Sequence, residues 1–335
     1  MKPRRKIVPV FVPHLGCPND CVFCNQRTIS GSLRPAGAED VVRALEEAEG
    51  KTETAELAFY GGSFTAVPEE TQRALLEAAR PYRERGFVNS IRVSTRPDAV
   101  TAEKLALLRA YGAETVELGA QSMDDRVLRL SGRGHTAADT AAAAALVKAA
   151  GMQLVLQMMT GLPGADRETD LRSAEAIAAL KPDGVRVYPT VILRGTPLEA
   201  LWRAGKYRAH TISDAVEICA PVARIFLRAG IPILRLGLNP TEALSGGEAV
   251  AGAYHPAFGE LVYGRIYLEM AREKLRSLPE LPPRLQLLVA ENRISQMTGR
   301  KQGNLLALRW EFNLEEISVS GVPFPSETVE IREIL

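Results

Sequence analysis

The chain has 335 residues, 46% hydrophobic and 24% charged, which suits one large α/β barrel or two ordinary soluble domains. It contains no apolar run long enough to span a bilayer and no signal peptide after Met1, so we predict a cytoplasmic protein that does not associate with membranes. The formal net charge of +1 excludes binding to polyanions through bulk charge alone, although residues 265–309 are locally basic and residues 311–335 are locally acidic.

The first predicted strand, Ile7–Val12, is followed closely by Cys17, Cys21 and Cys24, which are three of only four cysteines. Three thiolates in a CxxxCxxC spacing can hold three irons of a cubane cluster and leave the fourth iron open to a ligand. Their clustering at metal spacing argues against a disulfide framework. A zinc site completed by a distant histidine and a set of buried structural cysteines are the alternatives.

Short β-branched runs alternate with helical stretches along most of the chain, which predicts βα units and a parallel sheet. The fourth cysteine, Cys219, lies on a helix that precedes a candidate seventh strand at Ile231–Leu236. Six earlier strands are predicted near Ile7–Val12, Glu56–Tyr60, Ser90–Ser94, Thr115–Gly119, Gln153–Met158 and Gly184–Tyr188. Helices are predicted at Glu39–Glu49, Glu69–Arg85, Ala102–Tyr111, Ala137–Ala150 and Thr169–Leu180. The predicted fold class is α/β, a partial (β/α)6-type TIM barrel.

The pattern changes after about residue 250. Four apolar residues recur at helical spacing from Tyr263, prolines then interrupt the chain, and β-rich stretches are predicted near Leu285–Ala290 and Asn304–Trp310. We therefore predict two domains, a barrel over residues 1–250 and a small α+β cap or extension over residues 251–335.

Polar and glycine-rich motifs stand where the predicted strands end, and the catalytic groups of α/β barrels come from these loops. Gly61 and Gly62, followed by Ser63, let a ligand approach the backbone closely. Arg133 suits a carboxylate because its planar fork can donate two charge-assisted hydrogen bonds. Taken singly, such motifs are also compatible with ordinary turns and helix starts. The further candidates are Ser94, Arg96, Glu117, Gln121, Gln157, Gly161, Tyr188 and Arg194.

The cysteine triplet, with the aromatic Phe23 before its last cysteine, resembles the signature of the radical S-adenosylmethionine (radical SAM) enzymes. Several later strings resemble the radical SAM domain of the Elongator catalytic subunit over roughly residues 5–250. These strings are Val116–Ser122, Arg133–Thr136, Gly161–Gly164 and Tyr188–Thr196. The spacing CxxxCxxC is shorter than in typical Elongator subunits, and Ser63 stands where radical SAM enzymes usually have an acidic residue.

The resemblance implies a partial barrel of the radical SAM kind with a [4Fe-4S] cluster held by Cys17, Cys21 and Cys24. The open iron would chelate SAM and cleave it to a 5′-deoxyadenosyl radical that abstracts hydrogen from a substrate. A reducing electron donor such as flavodoxin or ferredoxin is implied as a partner. SAM would be held by Gly61, Gly62, Ser63, Ser94, Arg96, Gln121, Arg133, Gln157 and Gly161, and Glu117, Tyr188 and Arg194 would be catalytic.

By the same resemblance, the expected substrate is RNA, either tRNA or rRNA. The residues outside the barrel are too few for an acetyltransferase domain, so we expect no acetyl-CoA. A second cluster is excluded because only Cys219 remains. The competing hypotheses are a non-catalytic iron–sulfur or zinc protein that binds RNA or assists assembly, and a zinc enzyme that activates water.

Overall fold

The computed structural model describes residues 6–12, 17, 21–25, 36–239 and 244–334. The first part of the chain contains β1 (Lys6–Phe11), α1 (Ala38–Glu49), β2 (Ala55–Tyr60), α2 (Glu69–Ala78), α3 (Arg80–Glu84), β3 (Val88–Thr95), α4 (Ala102–Ala110), β4 (Ala113–Gln121), α5 (Asp125–Leu130), α6 (Ala137–Ala149), β5 (Gln153–Thr160) and α7 (Arg167–Ala179). It continues with β6 (Gly184–Pro189), β7 (Val191–Leu193), α8 (Pro197–Arg203), α9 (Ile212–Arg228), β8 (Ile233–Leu236) and β9 (Ala249–Gly252).

One parallel sheet of seven strands, in the order β1-β2-β3-β4-β5-β6-β8, forms the centre of the molecule. This sheet is a curled partial barrel with helices on its outer side, as predicted, and the candidate seventh strand is confirmed as β8. Alternate strand residues such as Phe59, Val93 and Val187 are fully buried in the core between sheet and helices. The opposite faces of these strands therefore point into the barrel.

The predicted helix over Glu69–Arg85 is two helices, because α2 ends at Ala78 and α3 begins at Arg80. Pro81 lies in the first turn of α3. Proline lacks the backbone N–H that a helix interior requires, so it is accommodated where a new helix starts.

The C-terminal part consists of α10 (Phe258–Arg276), β10 (Arg284–Ala290), α11 (Ile294–Thr298), α12 (Gly303–Glu311), β11 (Glu316–Val322) and β12 (Val329–Glu333). Its three strands form a separate sheet, in which β10 lies parallel to β11 and antiparallel to β12. Helix α10 packs its first half on the barrel core and its second half on the core of this sheet. The domain boundary at residue 250 stays a prediction.

The β-rich stretch predicted at Asn304–Trp310 is wrong, because these residues form α12. Leu305 and Leu308 pack on the second core, whereas Leu306 and Trp310 are exposed. Leu305 and Leu308 are three positions apart and Leu306 and Trp310 are four apart, which is helical spacing. The sequence analysis did not detect it because the apolar residues form an almost continuous run. No helix in the described part of the chain has the length and apolar character that crossing a membrane requires.

Candidate functional site

The three cysteines follow β1, at the carboxyl edge of the parallel sheet. Cys17 is exposed, Cys21 and Cys24 are half-buried, and the Cys24 amide donates to the Cys21 carbonyl over 3.0 Å. Although the residue as a whole is exposed, burial of its sulfur and the neighbouring Cys21 raise the pKa of the Cys17 thiol, while Arg96 and Arg133 oppose that rise. Two thiols and two guanidinium groups thus share this corner of the barrel.

Neighbouring loops hold the cysteine segment from two sides. The Val22 amide donates to the Ser131 carbonyl over 3.1 Å, and the Val22 carbonyl accepts from the Leu198 amide over 2.8 Å. The Asn25 side chain donates to the Arg194 carbonyl over 2.9 Å. The sequence analysis missed these contacts, which fix the segment between the end of α5 and the start of α8.

Arg133 reaches the cysteine loop directly. Its Nη1 donates to the Cys21 sulfur over 3.3 Å, and its Nη2 donates to the Gly119 carbonyl over 2.8 Å. Its Nε is buried and has no hydrogen-bond partner within the described residues. A guanidinium with an unused buried donor beside a cysteine is suited to an acceptor such as a carboxylate.

The glycine loop after β2 lies against the loop after β3. Gly61 has a φ of +87°, where a side chain would be strained and would meet the Phe11 ring at 3.2 Å. The Ser63 hydroxyl hydrogen-bonds the Thr95 hydroxyl at 2.9 Å and accepts from the Arg96 amide at 3.1 Å. Ser63 therefore ties the two loops together, and Gly61 exposes backbone to the site.

Arg96 is almost fully buried next to the cysteine loop and is ion-paired with Asp98 at 2.6 Å. Ser94 is half-buried on β3, in register with Glu117 of β4. Both residues thus lie on the carboxyl half of the sheet, where the resemblance placed SAM.

Two glutamines meet at the ends of β4 and β5. The Gln157 amide donates to the Gln121 side-chain oxygen over 3.3 Å. Gln121 is buried and has a φ of +63°, a left-handed backbone that a non-glycine residue adopts at a cost of about 1–3 kcal/mol. A strained and buried amide at a strand end supports a binding role for this pair.

The turn after β5 is held at its Gly161 peptide. The Gly161 amide donates to Asp170 of α7 over 2.9 Å, and its carbonyl accepts from the Tyr207 hydroxyl over 2.6 Å. Burial raises the pKa of the Asp170 carboxyl to about 7. Neither Asp170 nor Tyr207 was predicted, although an acidic residue in the first turn of a helix just after a glycine turn was the available signal.

A network of charged side chains fills the interior of the barrel. Glu117 is 3% exposed and is ion-paired with Arg186 at 2.7 Å and with Arg92 at 3.6 Å. Arg92 also pairs with Glu56 at 3.2 Å, and Arg186 donates to the Tyr60 hydroxyl at 3.0 Å. Burial raises the pKa of Glu117, while the two arginines lower it.

The sequence analysis predicted Glu117 and Tyr188 but missed Arg92 and Arg186 as their partners. Burial raises the pKa of the Tyr188 hydroxyl, and the positive charge of Arg186 opposes that rise. The signal was the alternation of apolar and polar residues in β3 and β6, with the polar set facing inward. Such a charged interior needs a polar ligand or mutual pairing, and here the pairing is extensive.

Arg194 lies apart from this network. Its side chain is exposed and donates to the Gly247 carbonyl over 3.1 Å, and its amide donates to the Glu248 carbonyl. Its carbonyl accepts a hydrogen bond from Asn25, which belongs to the cysteine segment. Its catalytic role stays a prediction that these side-chain contacts do not support.

The donor set of this site fits an iron–sulfur cluster. Three thiols on one loop are soft ligands of the kind that such clusters use, and a buried unpartnered donor of Arg133 lies beside one of them. As the described residues stand, no three histidine, cysteine or acidic side chains converge closely enough to hold a metal ion.

Two family models match successive parts of the chain. The model described as the radical SAM superfamily matches residues 11–177, and the model described as the Radical_SAM C-terminal domain matches residues 182–268.

Among curated proteins, the chain is 32% identical over 201 residues to Elongator complex protein 3 of Mus musculus, covering 54% of this chain and 37% of that protein. It is 32% identical over 197 residues to a tRNA uridine(34) acetyltransferase of Methanocaldococcus jannaschii, covering 53% of this chain and 36% of that protein. The chain thus spans little more than a third of the length of these relatives.

Solved structures show the same fold at low identity. The Elp3 of Methanocaldococcus infernus with an N-terminal deletion superimposes with a TM-score of 0.63 and 24% identity, covering 79% of this chain and 63% of that one. Coproporphyrinogen III oxidase of Escherichia coli, a radical SAM enzyme, gives a TM-score of 0.50 and 20% identity, covering 68% and 54%.

Proposed function

Because this chain belongs to the radical SAM superfamily of enzymes, we propose that Cys17, Cys21 and Cys24 hold a [4Fe-4S] cluster beside which SAM binds. The observation that carries this proposal is the contact of Arg133 with the Cys21 sulfur, together with its unused buried Nε. When bound and reduced, the cluster would supply the electron that cleaves SAM into methionine and a 5′-deoxyadenosyl radical, which takes hydrogen from a substrate.

In this proposal, the protein residues position SAM and exclude water. Arg133 binds the carboxylate of SAM, and the exposed backbone of Gly61 and Gly62 binds its amino group. The Gly161 turn packs on the adenine, held in place by Asp170. Ser94, Gln121 and Gln157 contact the ribose, and Ser63 and Arg96 fix the loops around them.

Glu117 and Tyr188 are proposed to face the substrate. Glu117 orients Arg186, and Arg186 in turn contacts the hydroxyls of Tyr60 and Tyr188. Burial raises the pKa of Tyr60 to about 12, so that hydroxyl stays protonated at neutral pH and can donate a hydrogen bond. Arg194 would act only through the cysteine segment that its carbonyl contacts.

RNA, as tRNA or rRNA, is the proposed substrate. Its support is the similarity to proteins named tRNA uridine(34) acetyltransferase. A flavodoxin or ferredoxin as electron donor, independence from acetyl-CoA and a cytoplasmic location stay predictions of the same proposal.

The test is anaerobic reconstitution of the full chain with iron and sulfide, followed by reduction with dithionite and incubation with SAM. We expect about four irons per chain and formation of 5′-deoxyadenosine, as one cubane cluster requires. The triple variant Cys17→Ala, Cys21→Ala, Cys24→Ala should lose both. The matched control is Cys219→Ala, which removes the remaining, buried cysteine and should keep both.

Two outcomes would overturn the proposal. Zinc bound in place of iron would favour a zinc protein, and a complete cluster without 5′-deoxyadenosine would favour a non-catalytic binding protein. The variant Arg133→Gln distinguishes binding of SAM from assembly of the cluster. It should raise the KM for SAM while leaving the iron content unchanged.

A further inference from the structure

Helix α12 turns an apolar and basic face away from the protein. Trp310 is 86% exposed and Leu306 is 51% exposed, the two most exposed large hydrophobic residues of the described chain. At 3.6 residues per turn, Leu306, Arg309 and Trp310 share one face of the helix. Leu305 and Leu308 lie on an adjoining face, which packs on the second core. The folding of this domain therefore does not explain the exposed tryptophan.

Most basic residues of the segment 265–309 are neutralised by ion pairs within the protein. The paired residues are Arg265, Arg272, Lys274, Arg276, Arg284 and Arg293. The apparent basic surface of this segment is therefore much smaller than the sequence indicates.

Three cations of the same segment have no acidic partner among the described residues, and they lie on or next to α12. Arg300 and Lys301 come just before the helix, and Arg309 adjoins Trp310 and donates to the Leu314 carbonyl over 3.3 Å. The acidic neighbour of Trp310, Glu311, is occupied by Arg272 and Arg276 at 2.7 and 2.6 Å. The positive charge that remains on this segment thus lies at the two ends of α12, with Arg300 and Lys301 before its first residue and Arg309 next to the exposed indole.

We propose that the helix face of Leu306, Arg309 and Trp310, together with Arg300 and Lys301 in the turn before the helix, binds single-stranded RNA. A base stacks on Trp310, and the cations bind phosphates along about 12 Å of helix. The cores of protein–protein interfaces are depleted of charge, whereas the exposed side of this helix has cations without an acidic partner among the described residues at both ends, so charge complementarity favours a polyanion. The inference rests on the proposed RNA substrate and assigns a docking surface for it outside the barrel.

The first test measures binding of a fluorescein-labelled oligouridylate to the full chain by anisotropy. Trp310→Ala should weaken binding roughly five- to 150-fold, the loss of one base–aromatic stack, whereas Trp310→Phe should keep most of the affinity. Since Trp310 is so exposed, neither variant should change the urea midpoint. In a Trp202→Phe background, Trp310 is the only tryptophan, and the RNA should quench its fluorescence.

The second test uses the salt dependence of binding. Each phosphate contact that is lost reduces the slope of log K against log salt by about 0.7 for single strands. Lys301→Ala and Arg300→Ala should each show this reduction. The matched control is Arg284→Ala, an exposed arginine paired with Glu315, which should leave the slope unchanged.

Unchanged binding by Trp310→Ala, or an equal loss of slope in Arg284→Ala, would overturn the inference. Concentration-dependent dimers that Trp310→Ala abolishes would assign the face to a second copy of this chain instead. Formation of 5′-deoxyadenosine by the wild type is measured in parallel. If Trp310→Ala leaves RNA binding unchanged while the wild type forms 5′-deoxyadenosine, only the docking surface is contradicted. If Trp310→Ala weakens RNA binding but the wild type forms no 5′-deoxyadenosine, only the proposed chemistry is contradicted.

Discussion

The interior of the barrel and the surface of the C-terminal part use ion pairs in opposite ways. In the barrel, Glu117 and Arg186 are 3% and 12% exposed and point into the interior from neighbouring parts of the sheet. In the C-terminal unit, Arg284 and Glu315 are 53% and 62% exposed. Each charge of a buried pair loses its hydration, and the attraction of the opposite charge offsets that penalty. In an exposed pair, water screens the attraction, so the pair contributes little to stability.

The buried ion pairs hold side chains in fixed positions, whereas the exposed ion pairs determine the charge of the protein surface. The interior network fixes Arg186 against Tyr60 and Glu117, so a substrate would meet side chains of fixed orientation. The surface pairs add little stability, but they cancel most of the positive charge of their segment. They leave three cations without an acidic partner among the described residues, and one of these, Arg309, adjoins the exposed Trp310.

The largest expected effect comes from removing one partner of the buried pair. Glu117→Gln leaves Arg186 without its carboxylate, which should lower the free energy of unfolding by about 3–5 kcal/mol. The matched substitution Glu315→Gln breaks the exposed pair and should cost less than about 1 kcal/mol. Urea unfolding of both variants measures the comparison. Equal losses would mean that burial does not distinguish the two regions.

A second effect concerns the pH dependence of stability. The pKa of Asp170 is raised by burial to about 7 in the folded protein, and it lies near 4 in the unfolded chain. Between these values the folded state retains a proton that the unfolded state has lost, so stability falls as pH rises from about 4 to 7. The contribution is roughly 4 kcal/mol at 1.36 kcal/mol per pKa unit.

Asp170→Asn removes this titration and keeps the shape of the side chain. The difference in unfolding free energy between wild type and Asp170→Asn, measured by urea unfolding from pH 4 to 7.5, isolates the contribution of this carboxyl. We expect the wild type to lose stability relative to the variant across that range. If the unfolding free energies of the wild type and the variant change with pH in the same way, Asp170 is not protonated in the folded protein near neutral pH.

The smallest effect compares two left-handed glycines. Gly161→Ala and Gly205→Ala should each cost about 1–2 kcal/mol, because both glycines have a positive φ. A side chain at Gly161 would also meet the His210 ring at 2.6 Å, whereas nothing lies within 4 Å at Gly205. Gly161→Ala should therefore cost about 1–3 kcal/mol more in thermal or urea unfolding. Equal costs would show that the turn after β5 can relax away from His210.

Most of the fold could be predicted because its signals are local. The strands of the barrel and the helices between them follow from runs of β-branched residues and from helix-forming segments. The placement of Cys17, Cys21 and Cys24 after the first strand follows from spacing alone. The prediction failed at α12, where an apolar run carried no visible period, and at α3, where Pro81 starts a new helix.

The sequence by itself determined which elements form and which motifs stand at their ends, since these depend on neighbours a few positions away. Only the tertiary structure decided the partners of the polar groups. Arg186 meets Tyr60 across 126 positions, and Arg133 meets Cys21 across 112. Strand order and register bring such residues together, so no local pattern could show that Glu117 is paired, or that Lys301 has no acidic partner in the described part of the chain.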